Sequence, residues 1–226
     1  MSSFTESSQR STGKSRRVGI LLAVMVFALV MKLMPYLLTA LGMRFELFGD
    51  VYPWSFTPLL AVGLFCGYVL RDLRVAVAVM LGFLLVGDLG VWALTGEVTW
   101  AFYAMQPLNY LCLLMTVPMG HWLRSGSRHA STQSAGGYGL SLFAGLVACL
   151  LFYVITNFAS WASMPEYTKD LSGLATCYTL AIPFFRNMLL GTAFYTAILL
   201  SPVMLRVLFP ASELEGELAM ERETSR

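Results

Sequence analysis

The chain has 226 residues, of which 57% are hydrophobic and only 12% charged, with a mean hydropathy of +0.68. Water-soluble domains carry about 25% Asp, Glu, Lys and Arg, so this composition excludes one and predicts an all-α, multi-pass membrane protein. A formal net charge of +2 gives no basis for a nucleic-acid partner.

Residues 1–17 are rich in Ser and Thr and end in Lys14, Arg16 and Arg17, which predicts a disordered cytoplasmic tail. Although Arg16-Arg17 has the look of a twin-arginine export signal, the apolar run behind it continues from Val18 to Leu41 without an A-x-A cleavage pattern. That is too long for a signal-peptide core and sufficient for a first membrane span. A short segment, Gly42 to Asp50, carries Arg44 and Glu46, and Pro53 and Pro58 then break the run from Val51 to Leu70. Pro58 to Leu70 would be only about 20 Å long as a helix. Span two is therefore expected to be short, tilted or preceded by a non-helical segment dipping into the membrane and covered by protein.

Arg71-Asp72-Leu73-Arg74 reads as a tight charged turn, followed by span three (75–94) and span four (98–122). A basic Gly/Ser-rich loop occupies 124–137 and span five 138–160, with a polar and aromatic loop over 161–173. The last apolar block, 174–209, is too long for one crossing and is interrupted by Pro183 and Arg186. A short helix at the outer surface and then span six, from about Asn187 to Phe209, are expected. The sequence thus divides into the tail 1–17, a six-helix membrane domain 18–209 and a polar cytoplasmic tail 210–226. With the N-terminus inside, 11 of the 15 basic residues fall in cytoplasmic segments, against Arg44 and Lys169 outside. The positive-inside rule then predicts both termini in the cytoplasm and a multi-pass protein of the cell inner membrane.

Charges within spans are costly and face the protein interior, which makes them candidates for function. Counted at about 1.5 Å per residue from the nearest inner boundary, Lys32, Asp88 and Gln106 all lie about 21–22 Å deep, with Asn109 one turn closer to the inside. Lys32 and Asp88 are expected to pair as an intramembrane polar pair, supported by Gln106 and Asn109. The pair serves a ligand or ion, or it ties span one to span three. A second cluster gathers at the outer rim: Asn157, Trp161 and Tyr178, then Phe184, Arg186 and Asn187. An aromatic belt at the headgroups accounts for Trp and Tyr there, whereas Asn, Arg and stacking rings together suit a flat polar or an anionic ligand.

Gly63-x-x-x-Gly67, Ala144-Gly145 with Ala148, and Ala193, Ala197 and Ser201 are spaced for close helix contacts. Cys66, Cys112, Cys149 and Cys177 stand in apolar stretches with no second Cys or His at ligand spacing, so neither a metal site nor a disulfide framework is expected. No G-x-S-x-G, H-E-x-x-H or P-loop pattern occurs, and His121 and His129 lie at the cytoplasmic end. Neither catalytic residues nor a cofactor are expected, and the chain reads as a non-enzyme.

Ser55-Phe56-Thr57-Pro58, Leu64-Phe65-Cys66-Gly67 and Gly87-Asp88-Leu89 resemble motifs of a bacterial membrane family of unknown function, DUF6580, regarded as transport proteins. The longest likeness runs through Thr156–Trp161, Tyr167, Gly173-Leu174, Cys177-Tyr178, Ala181–Asn187 and Tyr195. That family in turn is similar to the substrate-capture components of energy-coupling-factor transporters. The resemblance implies six helices, a small-molecule or ion ligand taken from the outer face, and ATPase and coupling subunits as partners alongside membrane lipids. The docking pattern of such components, Ala-x-x-x-Ala on span one, is replaced here by Gly19-x-x-x-Ala23. The expected ligand contacts are Asn157, Tyr178 and Arg186, approached past the 52–57 loop, with Asp88 and Lys32 as a polar floor. A non-transporting scaffold or assembly subunit, and an ion-coupled carrier, are the competing expectations.

Overall fold

The computed structural model describes residues 2–43, 55–126 and 135–210, the side chains of 2–12 and 126 excepted, and within them it is all helical. Four helices have the length and apolar content to cross a membrane: residues 13–40 of α1 (Ser2–Ala40), then α3 (Leu73–Thr95), α7 (Ala135–Ser163) and α9 (Ile182–Leu199). α1 carries helix through 2–17, where a disordered tail is expected. That stretch has no Pro, and extending an existing helix fixes one residue per hydrogen bond gained.

At the centre lies α2 (Leu59–Val69), a helix of 11 residues in which every position from Leu60 to Val69 is buried. Its length, about 16 Å, agrees with the short helix expected over 58–70, although it is too short to be one of the four candidate spans, and its apolar circumference has protein on all sides. α1, α3, α6, α7 and α9 all touch it. The tightest crossing is with α6 (Thr116–Gly126). A Cβ at Gly67 would lie 1.9 Å from the Val117 carbonyl oxygen, and one at Gly120 would lie 1.9 Å from the Leu64 carbonyl oxygen. Glycines on both helices therefore let the two backbones touch, as the Gly63-x-x-x-Gly67 spacing predicts.

The fourth predicted span, 98–122, is not one helix. It divides into α4 (Val98–Ala101), α5 (Gln106–Leu114) and α6. Phe102 is extended (φ −126°, ψ 98°), and Pro107, at the start of α5, has no N–H to continue a helix from Tyr103. Pro118 likewise cannot bond the Leu114 carbonyl, so α5 gives way to α6 across Met115, with the Thr116 hydroxyl donating to the Leu113 carbonyl at 2.6 Å.

Span six also shifts. α8 (Leu171–Leu180) is the short helix expected before it, but α9 begins at Ile182 rather than Asn187, because Pro183 sits in the first turn, where its missing N–H costs nothing. α9 ends at Leu199, and Pro202 opens α10 (Pro202–Leu208) behind the Ser201 cap, whose hydroxyl accepts from the Met204 N–H at 3.1 Å. Asp72 caps α3 in the same way through the Arg74 and Val75 N–H groups, and Gly96 closes it in the left-handed region (φ 73°).

Between α7 and α9, Gly145 lies against Thr196 and Thr192. Of the small-residue ladder expected on span six, Ala193 is exposed and Ala197 and Ser201 are half-buried, whereas Gly191, Thr192, Tyr195 and Thr196 form the buried face. At the end of the molecule where Arg17, Arg124 and Phe209 meet, the two guanidinium groups lie 4.4 and 5.0 Å from the Phe209 ring. Arg17 donates to the Leu208 carbonyl, and Arg124 donates to the carbonyls of Tyr68 and Val69, the negative C-terminal end of α2.

Candidate functional site

Asp88 sits on α3, seven residues before its end, and is 5% exposed. An ionised carboxylate in such surroundings needs donors at both oxygens, and three helices provide them. Lys32 of α1 donates from Nζ to Oδ1 at 2.5 Å. From α5, the Gln106 amide and the Tyr110 hydroxyl both donate to Oδ2. Gln106 and Tyr110 are four residues apart, so they project from one face of α5.

Gly87 accommodates the pairing. A Cβ there would lie 2.8 Å from both Nζ and Cδ of Lys32, so a larger residue would require the lysine stem to shift from its course along α3. The ammonium also approaches the Leu84 carbonyl at 3.5 Å, one turn earlier. Gly90 similarly admits Leu33. Tyr36, one turn beyond Lys32, and Tyr103 lie within electrostatic range of Asp88, and Tyr36 packs edge-on against Trp100 with ring centroids 6.2 Å apart. The structure thus joins Lys32, Asp88 and Gln106 directly. Asn109 turns to the Tyr103 hydroxyl instead and does not reach Asp88. Tyr110 is the member that sequence reading missed; its signal was the i, i+4 spacing from Gln106.

The outer-rim residues behave differently. Asn157 donates from its amide to the Tyr153 carbonyl at 2.8 Å, within its own helix, and Tyr178 donates to the Val154 carbonyl at 2.7 Å. Trp161 Nε1 donates to the Thr168 carbonyl at 2.9 Å, and Tyr153 donates to the Tyr178 carbonyl at 2.7 Å. The Tyr153 and Tyr178 bonds, with the Tyr153–Tyr178 and Tyr153–Phe185 ring contacts at 5.3 and 4.4 Å, fasten α8 and the start of α9 to α7. Phe184 is 39% exposed, whereas Asn187 is buried and accepts from Arg186 Nε at 3.3 Å. No common centre joins Asn157 and Tyr178 to Arg186 in these contacts.

Residues 52–54 of the expected entry loop, together with Arg128, His129 and the tail 211–226, lie outside the described residues. Phe56 and Thr57 are described, and their backbone rests on Gly191 of α9, 3.3 Å from where a Cβ would stand. The four cysteines are buried free thiols, and among the described residues no three His, Cys, Asp or Glu side chains gather at metal-binding distance.

Residues 13–211 match the family of unknown function DUF6580. The chain belongs to this family. The match spans all four long helices, α2, and every residue of the Asp88 network, so the network lies wholly within the DUF6580 region. No curated protein and no solved structure matches the chain.

Proposed function

We propose that this DUF6580 protein is a membrane transport component that captures a small molecule or ion from the outer face, with the Asp88 network as its responsive centre. The observation that carries this reading is the buried Lys32–Asp88 pair, completed by Gln106 and Tyr110. A merely structural tie between α1 and α3 is achieved more cheaply by apolar packing, since desolvating two charges offsets most of their attraction. In this reading α2 and the bent pair α5–α6 supply two further crossings, for six in all, with both termini in the cytoplasm of a cell with an inner membrane. No ATP-binding motif occurs, so energy would come from ATPase and coupling subunits, as in energy-coupling-factor transporters, or from an ion gradient acting on Asp88. Catalysis forms no part of the proposal.

The test is mass spectrometry of small molecules retained by protein purified in mild detergent, wild type beside Asp88→Asn. Ligand retained by the wild type and lost from a folded Asp88→Asn supports the proposal. Equal retention by both, with equal uptake in cells, overturns it.

A scaffold or assembly subunit is the second reading. It is favoured by one observation: Trp161 and Tyr178 are engaged in holding α7 to α8 and its preceding loop, and the Asn157 amide is taken up within α7 itself. Under it, Asn157→Ala and Tyr178→Phe lower stability, and no small molecule is retained.

A further inference from the structure

The Asp88 layer has an uneven stock of hydrogen-bonding groups. The Lys32 ammonium, a Gln106 amide N–H and the Tyr110 hydroxyl are already directed at the carboxylate. What remains is an acceptor: Gln106 Oε1 is buried and has no partner among the described residues. Turning the Gln106 NH₂ toward Asp88 leaves this carbonyl oxygen behind, and an unsatisfied buried acceptor is unfavourable. Nearby, Tyr36 and Tyr103 lie within electrostatic range of Asp88, and Trp100 packs against Tyr36. A carboxylate and a spare amide oxygen side by side form an environment for a cation that donates several hydrogen bonds, and one that disfavours an anion.

We propose that this layer is a seat for a protonated primary amine, whose ammonium replaces Lys32 Nζ on Asp88. This rests on the reading of the Asp88 network as a ligand-responsive centre. Lys32 is then a tethered stand-in that keeps the carboxylate neutralised while the seat is empty of ligand. The displaced lysine has somewhere to go: it is eight residues, about 12 Å, from the end of α1 at Ala40, so a flexible four-carbon stem lets its ammonium reach toward the headgroups. The incoming ammonium gives one N–H to Asp88 and one to Gln106 Oε1. Access lies beside α4, a single turn without a side-chain cap, where Trp100 and Tyr103 are 55% and 44% exposed.

The experiment uses the full-length protein in lipid nanodiscs, titrated with ethylammonium chloride while thermal unfolding is followed. Sodium chloride and tetramethylammonium chloride serve as matched controls; the latter is a cation without N–H groups. The expected result is a saturable rise in the unfolding midpoint with ethylammonium alone. Gln106→Leu weakens the half-saturation concentration about tenfold through the lost acceptor, Lys32→Met strengthens it by removing the internal competitor, and Asp88→Asn abolishes it. A wild type that gives no saturable response, or responds equally to tetramethylammonium, overturns the proposal, as does an unchanged half-saturation in Gln106→Leu. Should Asp88→Asn fail to fold, the wild type, Gln106→Leu and Lys32→Met decide. Loss of uptake in a folded Asp88→Asn without any ethylammonium response leaves the transport reading standing and removes the amine; a response without any uptake defect does the reverse.

Discussion

Lys32 and Asp88 each depend on the other's charge, because removing either leaves a buried ion without its complement. Breaking such a pair from one side typically costs about 3–5 kcal/mol. Lys32→Met and Asp88→Asn are each expected to lose stability on that scale in chemical denaturation of the reconstituted protein, while the double variant recovers a large part of the loss. Additive losses in the double variant would show that the two side chains do not interact. Lys32, Asp88 and Gln106 were legible in the sequence from depth alone, since charges at one level on separate apolar helices must find one another. Tyr110 was not, because a tyrosine in an apolar helix has no charge to flag it, and Asn109 beside it drew the attention that belonged one position further on. The outer residues were expected to form a cluster, and their bonds instead run to separate local partners. Their engagement with backbone carbonyls was not legible, since a sequence does not show which way α8 folds back on α7.

Among the elements, the α2–α6 crossing is the most exacting. An alanine at Gly67 or Gly120 meets backbone oxygens, which cannot move aside, whereas at Gly63 the nearest atom is the Thr116 hydroxyl at 1.8 Å, which rotates away. Gly67→Ala and Gly120→Ala are therefore expected to cost about 1–3 kcal/mol or more, and Gly63→Ala less, as read from thermal unfolding in one detergent. Equal effects at all three positions would mean that the crossing adjusts freely. α8 offers a second test through Asp170, whose carboxylate accepts from the Gly173 N–H and the Thr168 hydroxyl, each at 2.8 Å. The Gly173 bond, first, and then the Thr168 bond hold its pKa below the ordinary 3.8. The contribution is thus full above the unfolded value and fades as pH falls through the lower folded one. Asp170→Ala is expected to lower stability at pH 7 and to remove this acid-limb dependence, measured as the unfolding midpoint between pH 7 and 3. Asp72, Asp170 and Ser201 are capping signals that a sequence displays openly. The splitting of 98–122 was also written there, in Pro107 and Pro118, but mean hydropathy conceals a break that apolar residues surround on both sides.

For the whole molecule, the arrangement predicts a topology that labelling can check. With the four native cysteines buried, a single added cysteine reports one side of the membrane. Lys169→Cys is expected to react with a membrane-impermeant maleimide on intact cells, and Arg74→Cys only after permeabilisation; the opposite pattern would invert the orientation. That the chain is all helical, with several apolar helices long enough to cross a membrane, was readable from apolar runs. Four such helices stand among the described residues where six spans were expected. Their partners were not readable, because almost any apolar face suits lipid and protein alike. The central helix illustrates the difference, and it bears on biogenesis. Eleven residues are too few to partition stably into a bilayer by themselves, so the integration machinery has little reason to retain this segment as it leaves the ribosome. As the second crossing of the proposed six, it is expected to wait near the interface until later-made neighbours offer a slot, entering late and after the first helix. Truncations ending before residue 116 should accordingly leave it open to protease digestion, long after the first helix is secure.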